Sequence, residues 1–311
     1  MKLLITGATG MVGSALVELC HKNDIGVHYL TTSKGKIEQQ PGYTGFYWNP
    51  AEGVIDPACL DGVDGIINLA GASIAQRWTD EAKKEILQSR TRSLSLLKQL
   101  LEDNDHGVKA LVSASAVGIY PSSKTRFYEE DFSGSADTFT ATVVNAWEQS
   151  ADEIASLGIP VAKLRIGLVL SDEGGALVKM AKPVRYYAGA AFGDGEQWQS
   201  WIHIDDLAEM FLHAVKLRLE GVYNAVAPNP VTNQKLTQEI AAVLKKPLIL
   251  PNIPEAAMKL VLGEMASILF VSHRVCSRKI EDTGFFFHYV NIIPALQDLL
   301  KEKSQLKEEL A

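Results

Sequence analysis

The chain opens on a short apolar strand, a turn containing three glycines, and a helix. "KLLITG" (2–7) predicts the strand and "MVGSALVELCHKN" (11–23) predicts the helix. Gly7, Gly10 and Gly13 form a G-x-x-G-x-x-G array between them, which suits a tight turn, a close approach to a pyrophosphate and close helix packing. Free N–H groups at the helix start favour phosphate. We therefore predict a dinucleotide site here, with contacts from Gly7, Thr9, Gly10, Met11, Val12 and Gly13.

Strands and helices continue to alternate up to residue 170. Further strands are predicted at 26–32, 64–71, 108–115 and 160–170, and helices at 79–104 and 141–158. Near-continuous apolar strands between helices are typical of a parallel sheet covered on both faces. The sequence therefore predicts a doubly wound α/β fold of the Rossmann type.

The pattern changes after residue 170, where glycine and aromatic residues become frequent. We predict a dinucleotide-binding domain over 1–170, to which 203–227 returns. Residues 171–202 and 228–311 then form a smaller domain on the substrate side. The charged C-terminal stretch "EKSQLKEELA" predicts a solvated helix end.

Composition excludes several classes of protein. The chain has 311 residues and a net charge of −7, so a nucleic-acid partner is not expected. Cys20, Cys59 and Cys276 lack the spacing of a zinc site and are interpreted as buried, reduced thiols, and no metal is predicted. No stretch approaches the roughly 18 apolar residues that span a membrane, so a cytoplasmic protein is expected.

The end of the second predicted strand bears on the choice of cofactor. An NAD enzyme usually carries an acid there to hold the ribose hydroxyls. This chain has Thr31, Thr32, Ser33 and Lys34 instead, and hydroxyls with a cation suit a 2′-phosphate better than a diol. The prediction is NADP(H), with NAD(H) as the alternative. "NLAG" (68–71), at the end of the strand expected beside the first, has small residues that let the backbone pass under the cofactor.

Several blocks in order along the chain carry a family resemblance. The most specific are "INLAGASIAQRWTDEAKKEILQSRTRS" and "GDGEQWQSWIHIDDLA", together with "SASAVGIY" and the C-terminal "RKIEDTGFFFHY". The chain resembles the "epimerase family protein" branch of atypical short-chain dehydrogenases/reductases. That branch joins an extended, epimerase-like Rossmann domain to a small C-terminal domain. The resemblance covers essentially the whole chain and implies NADP(H) binding.

The resemblance also implies roles for individual residues. It places Thr31 and Thr32 at the 2′-phosphate, a position where relatives often carry Arg in place of Thr32. It also implies Leu69 and Ala70 beneath the cofactor, Glu85 and Arg90 reaching it from the following helix, and Leu168 near the nicotinamide. Without the resemblance, Glu85 and Arg90 would be interpreted as an ordinary helix-surface pair. We also predict cofactor contacts from Gly71 of "NLAG" and from Ser113 of "LVSAS".

The usual catalytic Tyr-x-x-x-Lys pair is missing from its expected place. "YPSSK" gives Tyr120 and Lys124 the right spacing, but its composition is that of a turn, so we interpret the match as coincidental. The expected helix, "FTATVVNAWEQSADEI", contains neither residue type and carries Trp147 and Glu148. Ser115 is then the main catalytic candidate, as the group that polarises a substrate oxygen. Tyr120 either faces the substrate or is a packing aromatic.

The run "HIDD" supplies His203, Asp205 and Asp206, a pattern found in metal and acid–base sites. We favour a structural interpretation, because an Asp at a helix start caps free N–H groups. Gln197 and Trp201 are preferred as substrate contacts. His213 lies in an apolar helix and is assigned to the core or its rim.

Three functions remain open. The first is an NADP(H)-dependent oxidoreductase acting on an unidentified carbonyl or alcohol, either small or nucleotide-linked, with Ser115 polarising the oxygen. The second is a sugar-nucleotide epimerase or dehydratase that retains its cofactor. The third is a non-catalytic module that senses NADPH.

Overall fold

The computed structural model describes the backbone of residues 1–309 and the side chains of residues 1–300. The strands are β1 (Lys2–Thr6), β2 (Gly26–Thr31), β3 (Gln39–Gln40), β4 (Tyr43–Asn49), β5 (Val54–Ile55), β6 (Gly65–Asn68), β7 (Leu111–Ala116), β8 (Phe127–Tyr128), β9 (Val161–Ile166), β10 (Leu168–Leu170), β11 (Trp198–Gln199), β12 (Trp201–His203), β13 (Gly221–Ala225), β14 (Val231–Thr232) and β15 (Arg274–Val275). The helices are α1 (Met11–Lys22), α2 (Asp80–Asp103), α3 (Phe139–Ala155), α4 (Gly175–Arg185), α5 (Ile204–Lys216), α6 (Asn233–Val243), α7 (Glu255–Leu262), α8 (Arg278–Glu281) and α9 (Ile292–Glu309).

A mostly parallel sheet organises the molecule. Its order is β13-β9-β7-β6-β1-β2-β4-β3, with β5 paired to β4. β1 lies beside β2 on one side and β6 on the other, all three parallel. The inner strands are apolar and buried on both faces, as helix-covered parallel strands require. The predicted doubly wound α/β fold is confirmed.

The predicted strand over 160–170 is two strands, β9 and β10, separated at Gly167. A Cβ on Gly167 would lie 2.2 Å from the Ser200 carbonyl oxygen, so only glycine permits this approach. The Leu168 N–H donates to that same oxygen at 2.7 Å, and β10 pairs in parallel with β12. The break brings the segment around Ser200 against the carboxyl end of the main sheet.

The later part of the chain contributes to two packing units. α5 packs against α1, and β13 extends the main sheet beside β9. A second apolar cluster forms between α4, α6, β12 and the start of α9, with Trp201, Leu236 and Leu296 at its centre. Within residues 1–309 no helix combines the length and apolar character needed to cross a bilayer. The side chains of the predicted charged helix end lie outside the described residues.

Candidate cofactor cleft and substrate cavity

The glycine turn after β1 is built for close backbone contacts. Gly7 has φ +71°, and a Cβ there would lie 3.0 Å from the Leu69 carbonyl. At Gly13 a Cβ would lie 2.1 Å from the Gly7 carbonyl oxygen. The N-cap of α1, Gly10, provides no side-chain cap, and the first turn contains no acid. The N–H groups of α1 are therefore free to receive a phosphate group.

A buried polar network fixes the strand end beside this turn. The Thr6 hydroxyl donates to Asn68 Oδ1 at 2.7 Å and accepts from the N–H groups of Leu69 and Ala70, both at 3.0 Å. Asn68 Nδ2 in turn donates to Ser113 Oγ at 3.2 Å. Ser113 is buried and does not line the cleft, and its hydroxyl holds the side chain of Asn68 in place. A direct contact with the cofactor had been predicted for Ser113.

A cleft of about 350 Å³ runs from the glycine turn across the ends of β2 and β4. Its lining is Gly7, Thr9, Leu30, Thr31, Thr32, Trp48, Asn49, Pro50, Ala51, Ala70, Gly71, Ala72, Glu85, Ser89, Arg92 and Ser93. Ser33 and Lys34 are not in this lining. The ammonium of Lys34 lies over the Tyr47 ring, 5.0 Å from its centre, rather than in this lining.

Two parts of the cleft were not predicted from the sequence. One is the end of β4, a strand that was not predicted. The other is the face of α2 that carries Ser89 and Arg92. Helical spacing from Glu85 could have indicated both residues, because Ser89 and Arg92, four and seven positions after Glu85, lie on the same helix face.

Arg90 lines a second cavity and also contacts Gly71 and Ala72, which line the cleft. Its Nη1 donates to the carbonyl oxygens of Ala72 (3.1 Å) and Ile86 (2.7 Å), and its guanidinium lies 4.8 Å from the centre of the Trp147 ring. Burial lowers the pKa of Arg90 to about 10. Its Nε is buried without a partner, and no described carboxylate forms an ion pair with it. The site thus holds an unpaired cation, which a bound oxygen or anion would satisfy.

The second cavity, of about 340 Å³, lies beside α3. Its apolar and aromatic lining is Ile74, Trp78, Ala116, Val117, Gly118, Phe139, Val143, Val144, Trp147, Gly167, Leu168, Trp198, Ile268 and Val271. Its polar lining is Arg90, Thr138, Thr140, Gln199, Ser200, Ser267 and His273. No carboxylate or lysine occurs among these described lining residues. The face of α3 that meets the cavity carries Thr140 and Val144 four residues apart and no ionisable group.

Ser115 and Tyr120 belong to a buried network behind the cavity wall. The Ser115 hydroxyl donates to Glu148 Oε1 at 2.6 Å, and Arg165 binds both carboxylate oxygens of Glu148 at 2.8 Å. Arg165 Nη1 also donates to the Tyr120 hydroxyl at 3.0 Å, and that hydroxyl donates to Asn224 Oδ1 at 2.8 Å. Ser115 is 2% exposed and Tyr120 1%, and neither lines the cavity.

These positions correct the catalytic prediction. Both hydroxyls donate to buried acceptors, so neither Ser115 nor Tyr120 is placed to meet a substrate oxygen. Burial raises the pKa of Glu148, but its bonds to Arg165 outweigh burial and leave the pKa below its ordinary value. Lys124 is exposed and forms ion pairs with Asp194 at 2.5 Å and Glu196 at 3.0 Å, away from the Tyr120 hydroxyl. Tyr120 and Lys124 are therefore not a functional pair.

His203 forms the N-cap of α5. Its Nδ1 accepts from the Asp205 N–H at 3.2 Å, which puts the ring proton on Nε2, 3.3 Å from the Asp298 carboxylate. The ring also stacks on Tyr289 at 3.9 Å. Asp206 accepts from the backbone N–H groups of residues 288 and 289. Nδ1 caps the helix and Nε2 lies near Asp298, contacts that agree with the structural interpretation of this cluster.

The two residues preferred as substrate contacts are also structural. The Gln197 side-chain amide donates to the carbonyl oxygens of residues 192 and 269, and Trp201 Nε1 donates to the carbonyl of residue 229. Both residues are buried outside the cavity lining, and their neighbours Trp198, Gln199 and Ser200 line it instead. His213 Nε2 lies 2.8 Å from the Thr283 hydroxyl, on the rim of the core.

The sheet, the glycine turn and the uncapped α1 define a Rossmann-type nucleotide-binding protein. Residues 3–225 match the NAD dependent epimerase/dehydratase family, and residues 253–299 match a domain of unknown function, DUF1731. The chain belongs to the NAD-dependent epimerase/dehydratase family, and the predicted resemblance is confirmed.

Relatives and solved structures agree with this assignment. An epimerase family protein of Staphylococcus aureus is 37% identical over 300 residues, covering 96% of this chain and 99% of its own length. The SDR39U1 homolog of Arabidopsis thaliana, described as chloroplastic, is 36% identical over 308 residues, covering 97% of this chain and 87% of its own. The crystal structure of human SDR39U1 with NADPH superposes with a TM-score of 0.84 at 30% identity, covering 97% of this chain and all of the human one.

A UDP-N-acetylglucosamine 4-epimerase from Bacillus cereus has the same fold. Its TM-score is 0.75 at 17% identity, over 96% of this chain and 98% of that one.

Proposed function

We propose that the chain binds NADP(H) and acts as an oxidoreductase on a small, largely apolar carbonyl compound or alcohol. The observation that carries this proposal is the aromatic and aliphatic cavity lined by Arg90, which also contacts Gly71 and Ala72 of the cofactor cleft. An apolar cavity with a few polar groups is the usual form of a small-molecule site.

The cleft fits a dinucleotide phosphate. The N-terminus of α1 is uncapped, Gly13 lets the helix pack closely on the turn, and the end of β2 carries hydroxyls in place of an acid. Human SDR39U1, which is similar along its whole length, was crystallised with NADPH. When bound, the nicotinamide supplies or accepts a hydride.

Two lining residues have the chemistry that the missing Tyr and Lys would provide. Arg90 lines the cavity beside Gly71 and Ala72 of the cleft and offers hydrogen-bond donors suited to a carbonyl oxygen or alkoxide. His273 Nε2 donates to the Tyr120 carbonyl oxygen at 2.8 Å, which leaves Nδ1 as the proton acceptor of the neutral ring. Burial lowers the pKa of His273, so that ring is neutral near pH 7. We assign the proton transfer to His273 Nδ1: it accepts the hydroxyl proton when an alcohol is oxidised, and the protonated ring returns that proton to the alkoxide when a carbonyl is reduced.

The alternative of a sugar-nucleotide epimerase has less support. A nucleoside diphosphate carries two phosphates that proteins usually bind with several cations. The cavity offers Arg90 as the one cation in its described lining. A non-catalytic NADPH sensor agrees with the missing Tyr-Lys pair, but it gives no role to a second, apolar cavity.

The test begins with paired titrations of the protein with NADPH and NADH, followed by nicotinamide fluorescence. We expect tighter NADPH binding, and then NADPH consumption with hydrophobic aldehydes or ketones from a panel. His273→Gln should retain NADPH binding but lose most turnover, together with the change in turnover that titration of the ring below pH 6.5 produces. NADPH binding without turnover on the whole panel would favour the sensor. Turnover of UDP-sugars alone would favour the epimerase.

A further inference from the structure

The cofactor cleft contains one positively charged side chain among its described lining residues, Arg92. Thr31 and Thr32 at the end of β2 provide hydroxyls to the same cleft, but Lys34 lies on Tyr47 outside it. At the strand end that discriminates between the cofactors in Rossmann folds, the cleft lining here therefore carries hydroxyls and no cation from β2 or the turn after it.

Arg92 is available for a ligand. It is exposed on α2 and forms no ion pair or side-chain hydrogen bond with any residue in the described part of the chain. Its position on the cleft is fixed by the preceding turn, because Ser89 Oγ accepts from the Ala72 N–H at 2.9 Å. A long exposed side chain one turn beyond this anchor reaches into the cleft with its charge free.

The charges on this face of α2 indicate at which end a phosphate group would bind. Glu85 and Arg92 are seven residues apart on one face, which separates them by roughly 10 Å along the axis. A phosphate dianion is repelled at the Glu85 end and attracted at the Arg92 end. A guanidinium can also bind phosphate oxygens in a bidentate manner, which neither threonine can do.

We propose that Arg92 is the residue that recognises the 2′-phosphate of NADP(H) in this chain, with Thr31 and Thr32 in the same cleft lining. This inference rests on the proposed NADP(H) function and assigns its specificity to a helix residue. The ligand chemistry is a phosphate monoester on the adenosine ribose, and no covalent step is involved.

The experiment compares dissociation constants of wild-type, Arg92→Gln and Arg92→Lys proteins for NADPH, NADH, 2′,5′-ADP and 5′-AMP. Lys84→Gln is the matched control, since Lys84 is an exposed cation on the same helix outside the cleft lining. We expect R92Q to weaken NADPH and 2′,5′-ADP by about 10- to 100-fold. NADH and 5′-AMP should change little. R92K should fall between wild type and R92Q, and K84Q should match wild type.

A second variant tests the same assignment at position 32 of the cleft lining. Placing a guanidinium at position 32, as Thr32→Arg in the R92Q background, should restore preference for NADPH, because Thr32 lines the same cleft. Restoration also shows that R92Q is folded.

Failure of this inference differs from failure of the proposed function. If the wild type prefers NADPH and R92Q retains the full preference, the assignment to Arg92 is wrong and NADP(H) binding stands. If the wild type binds NADH and NADPH equally, both the NADP(H) preference and the role of Arg92 are wrong.

Discussion

Glu148 and Arg165 illustrate how a residue's partners determine its role. Ser115 was assigned to a substrate from its place at a strand end, yet its hydroxyl donates to Glu148, thirty-three residues away in sequence. The carboxylate is held by Arg165 on a neighbouring strand through two bonds of 2.8 Å. The glycine array could be interpreted from sequence because its geometry is local. The Ser115 network could not, because its members meet only in the folded sheet.

Removing the Glu148 carboxylate should be strongly destabilising. Glu148→Ala leaves the Arg165 guanidinium buried without a counter-charge, which costs about 3–5 kcal/mol of unfolding free energy. Urea denaturation measures the change, with Glu153→Ala as control because Glu153 is exposed on the same helix. A loss below about 1 kcal/mol for E148A would show that water or another acid compensates Arg165.

At the scale of elements, most of the α/β alternation was predictable. Helices α1, α2 and α3 lie within a few residues of their predicted ranges, because their apolar spacing is regular and Thr79 and Thr138 cap α2 and α3. β4 was missed because its alternation is interrupted by Gly45 and by half-buried aromatic residues. The break at Gly167 was missed because nothing local shows that Ser200 approaches it.

The Gly167 break can be tested directly. Gly167→Ala puts a methyl group against the Ser200 carbonyl, so β10 and β12 must separate, at a cost of about 1–3 kcal/mol. NADPH binding at the adenosine end should be nearly unchanged, because that lining does not include Gly167. Calorimetry and cofactor titration measure the two effects. Gly35→Ala is the control, since a Cβ there meets nothing within 4 Å, and an equal loss in both variants would contradict the role of the close approach.

At the scale of the whole molecule, buried histidines make stability depend on pH. Burial lowers the pKa of His28, His203, His213 and His273 below the ordinary value of 6.5. As pH falls through 6.5, the unfolded chain takes up protons that the folded chain does not. Stability is therefore fully present above the unfolded value and is lost as pH falls from there towards the lower folded values.

We expect the unfolding free energy to decrease from about pH 7 to about pH 5.5, by at most about 1.4 kcal/mol per pH unit for each histidine. Urea midpoints across this range measure the slope. Burial raises the pKa of Asp206 and Glu130, so these two carboxyls increase the unfolding free energy as pH falls further. Constant or rising stability on acidification within the stated range would contradict the assignment of these rings as neutral.

The linings of the cleft and of the cavity come from sequence spans of very different length. Every lining residue of the cleft lies between Gly7 and Ser93, whereas the cavity lining extends from Ile74 to His273. The segment around His273 joins the wall through β15, which pairs with β8, and through the bond from the His273 N–H to the Trp198 carbonyl at 3.0 Å. During synthesis, the residues that line the cleft are therefore translated early, and the wall of the cavity is completed only when the DUF1731 segment has been translated.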